Sequence, residues 1–177
     1  MNAMIYNRPY ELADVARILD ASEHRPRPDI LSGTGPKGHA ISLHTLERKN
    51  LFARDKQRDS LFLVSRSDLA EIVHEALNSA SGQRELEKLN QPNRKAVVIR
   101  TVIIRQGSNF DILTLYRPKT DEQVSFDWLS TTKGDGYIVQ LFVTVYKIPN
   151  SANDIHIQTV YPDHFARISG GEIVGCR

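Results

Sequence analysis

The chain has 177 residues, of which 40% are hydrophobic and 25% are charged, as is typical of one globular domain. Its net charge of +2 permits a phosphate-rich partner without requiring one. The one cysteine, Cys176, excludes an intrachain disulfide and a zinc site built on thiolates. Residues 1–10 lack the apolar segment of a secretory signal, and the longest apolar run, residues 137–146, is too short to span a bilayer.

Helices are predicted mainly in the first half of the chain. The first covers residues 9–21, where apolar side chains recur at helical spacing. Residues 24–38 are rich in proline and glycine and predict irregular chain. A second helix begins near Ile41, and a strand or connector follows at residues 61–64. Two further helices are predicted over residues 67–80 and 81–89, the first with Asp68 and Glu71 at the spacing of a capping box.

Strands are predicted in the second half, where Val and Ile are frequent and turn residues separate the runs. Their predicted ranges are 96–104, 110–116, 124–129, 137–148 and 155–161. Because short turns join them, we expect neighbouring strands to pair in antiparallel order. The predicted fold is α+β, with N-terminal helices packed on a C-terminal antiparallel sheet of about five strands. We divide the chain into an N-terminal helix and irregular arm (1–37), a main domain (38–165) and a flexible tail (166–177).

The last predicted strand carries two neighbouring hydroxyl groups. Strict alternation places Thr159 and Tyr161 on one face together with Ile155 and Ile157, near a strand end set by Pro162. Adjacent hydroxyls are good donors to phosphate oxygens, although Thr and Tyr are also simply good strand formers.

Histidine can exchange protons near neutral pH, which makes His39 and His44 candidates for acid–base chemistry. Five positions apart, they point in different directions from a helix and do not form a metal-binding pair, so we predict no metal and no cofactor. The residues from 48 to 58 are strongly basic and are candidates either for binding RNA phosphates or for a solvated helix face. These cations are Arg48, Lys49, Arg54, Lys56 and Arg58.

Three short motifs together resemble bacterial ribonuclease A-like toxin domains, the C-terminal domains of contact-dependent inhibition and other polymorphic toxins. The motifs are Gly38-His39-Ala-Ile-Ser-Leu-His44, Leu51-Phe-Ala-Arg54 and Gln158-Thr159-Val-Tyr161-Pro162. They are similar to the family's His-x4-His, Leu-x-x-Arg and Thr-x-Tyr-Pro, in that order. In the family Val-Gly usually follows the second histidine, whereas Thr45-Leu46 stand here.

The resemblance implies that His44 is the catalytic histidine, Arg54 the catalytic arginine, and Thr159 and Tyr161 the hydroxyl pair. His39, the first histidine of the motif, is a further catalytic candidate. The interval from His44 to Arg54 is one residue shorter than in the family, so Arg58 competes with Arg54. A second Thr-Val-Tyr, Thr144 to Tyr146, competes with the closing pair.

The implied activity is metal-independent cleavage of RNA by attack of the ribose 2′-hydroxyl, with a tRNA as one candidate substrate. The implied partner is a cognate immunity protein, and the implied place of action is the cytoplasm of a target cell after delivery from the producing bacterium. The rival hypothesis is a non-catalytic immunity or adaptor protein of α+β fold, in which the histidines and hydroxyls have no catalytic role.

Overall fold

A computed structural model describes residues 5–28, 36–45, 58–62, 65–106, 112–116, 125–129, 136–149, 154–169 and 172–176. As the sequence predicts, the chain is α+β, with helices before most of the strands and antiparallel sheets. No helix in these ranges is both long enough and apolar enough to cross a membrane.

The helices have clear local causes. They are α1 (Leu12–His24), α2 (Ala40–His44), α3 (Arg66–Asn78) and α4 (Ala80–Glu87), the last followed by a 3₁₀ turn, Lys88–Asn90. The capping box of α3 uses Ser65 and Asp68 rather than the expected Asp68 and Glu71. Ser65 Oγ accepts from Asp68 N, and the Asp68 carboxylate accepts from Ser65 N, each at 3.2 Å.

Within the described residues, the strands form two sheets instead of the single sheet of about five strands that we expected. They are β1 (Arg58–Phe62), β2 (Ala96–Gln106), β3 (Ile112–Tyr116), β4 (Ser125–Leu129), β5 (Gly136–Lys147), β6 (Ile155–Ser169) and β7 (Glu172–Cys176). One sheet has the order β1-β3-β4 and the other β2-β5-β6-β7. The expected β2–β3 hairpin is wrong, because β3 lies between β1 and β4 in the other sheet and β2 pairs with β5 along its whole length. These two long apolar strands can cover each other, which the short β3 cannot do.

The core lies on one face of the β2-β5-β6 layer, where α1, α3 and α4 pack against it. Its strand residues include Val97, Ile99, Leu141, Val143, Val145, Ile155, Ile157 and Val160. The chain before α1 belongs to the same core, since Tyr6 and Tyr10 are buried in it. Tyr10 is held by Asn78, whose amide accepts from Tyr10 N at 3.0 Å and donates to Tyr10 O at 2.9 Å. Part of the expected N-terminal arm is therefore packed structure.

The end of the chain also differs from expectation. Pro162 does not end its strand, because β6 continues to Ser169. Where we expected a flexible tail, β7 pairs with the last part of β6. A break in register follows Pro162, whose partner is Leu141. This is consistent with the missing N–H of proline, which a regular ladder does not tolerate.

Candidate functional site

A β-bulge at Gln158 sets the geometry of the candidate site. Thr144 pairs with Thr159 and Val145 with Ile157, so Gln158 has no partner in the β5–β6 ladder. An extra residue reverses the alternation beyond it. Val160 therefore faces the core, like Ile157, and both are fully buried. The expectation that Thr159 and Tyr161 share a face with Ile155 and Ile157 is wrong.

Thr159 and Tyr161 instead lie on the face of the sheet opposite the helices, which we call the open face. Directly opposed residues of antiparallel strands share a face. Thr159 is opposite Thr144, Tyr161 is opposite Phe142, and His156 is opposite Tyr146. The Tyr161 and Phe142 rings are stacked, with centroids 5.3 Å apart and planes inclined by 4°. Both Thr-x-Tyr motifs of the sequence therefore contribute to the same face, as neighbours.

The segment of residues 36–39 attaches the first histidine motif to β6. Gly38 N donates to Ser22 O on α1, and His39 N donates to Gln158 O on β6, both at 2.9 Å. Ser22 also contacts β6 directly, because its hydroxyl accepts from Ile157 N at 3.0 Å and donates to Ile18 O at 2.7 Å. Helix α1 and the 36–39 segment therefore both hydrogen-bond to this part of β6. His39 thereby lies next to the strand that carries Thr159 and Tyr161.

The Gln158 side chain joins two histidines. Its Nε2 lies 2.7 Å from Lys37 O and 3.4 Å from His39 Nδ1, and its Oε1 lies 3.1 Å from His156 Nε2. A carbonyl oxygen can only accept, so the amide nitrogen must face Lys37 O. The amide oxygen then accepts from His156 Nε2–H, and the amide nitrogen donates to His39 Nδ1. In the neutral state, His39 consequently carries its proton on Nε2.

A two-part cover lies over the His156 end of the open face. Residues 26–27 and 36–37 run antiparallel, with a bridge between Pro26 and Lys37 and a 3.0 Å bond from Arg27 N to Pro36 O. The Arg27 guanidinium lies 5.2 Å from the centroid of the Tyr146 ring, as in a cation–π contact. Beneath this cover His156 is 1% exposed. The irregular segment thus packs on the candidate site.

The Thr159 hydroxyl is buried and has no hydrogen-bond partner within the described part of the chain. Leaving a buried polar group unsatisfied costs about 1–3 kcal/mol, so such atoms are rare in native proteins. A ligand oxygen that reached Thr159 Oγ1 would remove this cost.

The side chains of the other predicted site residues lie outside the described part of the structure. His44 is the last residue of α2 and Arg58 the first of β1, and the structure describes the backbone of both but not their side chains. Arg48, Lys49, Arg54 and Lys56 lie outside the described residues. Helix α2 itself contacts β6, and Glu23 Oε1 accepts from Ile41 N at 2.7 Å in its first turn.

Sequence reasoning missed three members of the cluster, namely Gln158, His156 and Arg27. His156 belongs to none of the three motifs, and Gln158 lies in the closing motif without a predicted role. One signal was available, since the apolar residues Ile155, Ile157 and Val160 are spaced by two and then three positions. That spacing breaks strict alternation and predicts a bulge between Ile157 and Val160.

Comparison of the chain with protein-family models, with curated proteins and with solved structures gives no significant match. The resemblance to toxin ribonucleases therefore rests on the short motifs alone. Among the residues described here, no group of three His, Cys, Asp or Glu side chains could hold a metal ion.

Proposed function

We propose that the chain is a metal-independent endoribonuclease of the bacterial toxin kind. The observation that carries the proposal is the 2.9 Å hydrogen bond from His39 N to Gln158 O. It brings the histidine motif onto the strand with the closing hydroxyl motif, although the two are 119 positions apart in the chain. Distant groups that converge on one surface are what a catalytic site requires.

The reaction needs proton transfer and charge stabilisation but no redox step. The ribose 2′-oxygen attacks the phosphorus as a base takes its proton, and the P–O5′ bond breaks as an acid gives a proton to O5′. The products are a 2′,3′-cyclic phosphate and a 5′-hydroxyl. We assign the proton transfers to His44, following the resemblance, and the stabilising positive charge to Arg54, with Arg58 as the competing candidate.

The geometry of His39 suits a different role from that of a base. With Nδ1 accepting from Gln158, the neutral ring carries its proton on Nε2, so its outer nitrogen acts as a hydrogen-bond donor and not as a base. We therefore assign His39 to hydrogen bonding with a non-bridging phosphate oxygen. Such a donor acts where negative charge develops in the transition state.

Thr159 and Tyr161 are the proposed hydroxyl donors to the same phosphate. They are two positions apart beyond the bulge, and they face the same side of β6. The Thr159 hydroxyl supports this role, since it has no hydrogen-bond partner among the described residues and a phosphate oxygen would supply one. Thr144, directly opposite Thr159, offers a third hydroxyl on the open face.

The biological setting follows from the same proposal. A ribonuclease of this kind is delivered from a bacterium and acts in the cytoplasm of a target cell, while the producing cell makes an immunity protein that covers the active site. The basic residues Arg48, Lys49, Lys56 and Arg58 are the proposed contacts to the RNA backbone in the first half of the chain.

The test is incubation of purified protein with total RNA, with and without EDTA, followed by analysis of the RNA ends. We expect cleavage in EDTA and cyclic phosphate at the new 3′ ends. His44→Ala and His39→Ala should each lose cleavage. His74→Ala, a change at a partly exposed histidine of α3, is the matched control and should cleave like the wild type. Intact RNA in every reaction would favour the non-catalytic immunity or adaptor protein.

A further inference from the structure

A basic groove of about 620 Å³ lies between α4 and β2, the outermost strand of its sheet. The charged side chains that line it are Arg84, Glu85, Lys88, Arg94 and Arg100. Glu85, the one carboxylate among the described residues that line the groove, is already paired, because its Oε1 lies 2.6 Å from Lys88 Nζ. Within the described parts of the chain, no carboxylate lies within ion-pair distance of the three arginines. The groove therefore presents uncompensated positive charge.

A row of side chains connects this groove to the candidate site across the open face. Arg100 on β2 is opposite Phe142 on β5, and Phe142 is opposite Tyr161 on β6. The Arg100 guanidinium lies 5.1 Å from the centroid of the Phe142 ring, which in turn stacks on Tyr161. Strands in a sheet are about 4.8 Å apart, so Arg100 and Tyr161 are separated by about 10 Å. One or two nucleotides span that distance.

We propose that the basic groove binds the sugar–phosphate backbone of single-stranded RNA next to the site of cleavage. The identity of this polyanion rests on the proposed ribonuclease function. Arginine forks match phosphate and carboxylate oxygens alike, so what favours RNA over an acidic protein is the row of aromatic rings, Phe142 and Tyr161, that adjoins the groove. A cationic groove continuous with aromatic rings is the combination that binds single strands.

Binding is measured separately from cleavage with a fluorescent 12-nucleotide RNA that carries 2′-O-methyl groups throughout, because it lacks the attacking hydroxyl. The variant is Arg84→Ala/Arg94→Ala. The control, Arg17→Ala/Arg66→Ala, makes the same change in net charge at exposed, ion-paired arginines of α1 and α3. Fluorescence anisotropy over a range of salt concentrations gives the affinity and its salt dependence.

We expect the groove variant to bind about tenfold more weakly than the wild type near physiological salt. The slope of log affinity against log salt should become shallower by about 1.4, at about 0.7 for each lost phosphate contact on a single strand. Glu85→Gln, which removes the one carboxylate, should bind about twofold more tightly. This gain cannot result from misfolding.

Equal affinities for the groove variant and its control would overturn the inference. So would competition by poly-glutamate as effective as that by unlabelled RNA, which would assign the groove to an acidic protein. The two proposals also fail separately. Groove-dependent binding without cleavage of unmodified RNA would contradict only the proposed ribonuclease activity. Unchanged cleavage of subsaturating RNA by the groove variant would contradict only the proposed role of the groove in binding RNA.

Discussion

Replacing Gly38 with alanine should separate the 36–39 segment from β6. A Cβ at this position would lie 2.7 Å from Ser22 O and 2.8 Å from Ile157 O. Both distances are shorter than real Cβ atoms tolerate, and both oxygens belong to the backbone of regular elements. Neither α1 nor β6 can move aside cheaply, since both contribute to the core. The segment itself must therefore withdraw.

The magnitude follows from the hydrogen bonds that withdrawal breaks. These are Gly38 N to Ser22 O and His39 N to Gln158 O. A backbone hydrogen bond contributes about 1 kcal/mol, and a buried group left unsatisfied costs about 1–3 kcal/mol. We expect Gly38→Ala to lower the free energy of unfolding by about 2–5 kcal/mol. Cleavage of RNA should fall further than this loss explains, because His39 also leaves Gln158.

The assay combines urea denaturation, followed by circular dichroism, with RNA cleavage under conditions where the variant is folded. Leu69→Ala is the control, because it creates a cavity in the core and costs a similar amount, about 2–5 kcal/mol. The folded control should cleave normally. Wild-type stability in Gly38→Ala would refute the close packing at this glycine. Equal loss of cleavage in both folded variants would refute a specific effect on the site.

Three other predictions concern stability. Ser22→Ala leaves Ile157 N without its acceptor, so the free energy of unfolding in urea should fall by about 1–3 kcal/mol. Ser65→Ala removes the capping box of α3 and should lower the free energy of unfolding by about 1 kcal/mol without changing the cleavage rate. A changed cleavage rate in this variant would contradict our placement of the site. Burial raises the pKa of Tyr10 from 10.0 to about 12 in the folded protein. The protonated phenol therefore contributes its full stability below about pH 10, and this contribution is lost as the pH rises to about 12. Over that range the wild type should lose about 2–3 kcal/mol more than Tyr10→Phe, and parallel curves for the two proteins would contradict the assignment.

The sequence predicts individual elements better than their partners. The helix α3 and the strand β2 follow from patterns of a few residues, a capping signal in one case and a run of Val and Ile in the other. Pairing between β2 and β5 depends instead on which long apolar strands can cover each other. The paired residues are far apart in sequence, as Ala96 and Tyr146 are. The turn residues that follow Gln106 favour pairing with β3, but β3 is short, whereas β5 is long enough to pair with the whole of β2.

The candidate site was predicted in its residues but not in its arrangement, and the cause is the core. Ile157 and Val160 are both fully buried, and strict alternation would leave one of them on the open face. The bulge at Gln158 allows both to remain in the core, and it turns Thr159 to the other side. The residue left without a ladder partner has a polar side chain, whose amide can reach both His39 and His156. Packing of apolar side chains thus determines which polar groups meet, which is why local patterns could name the hydroxyl pair but could not predict its neighbours.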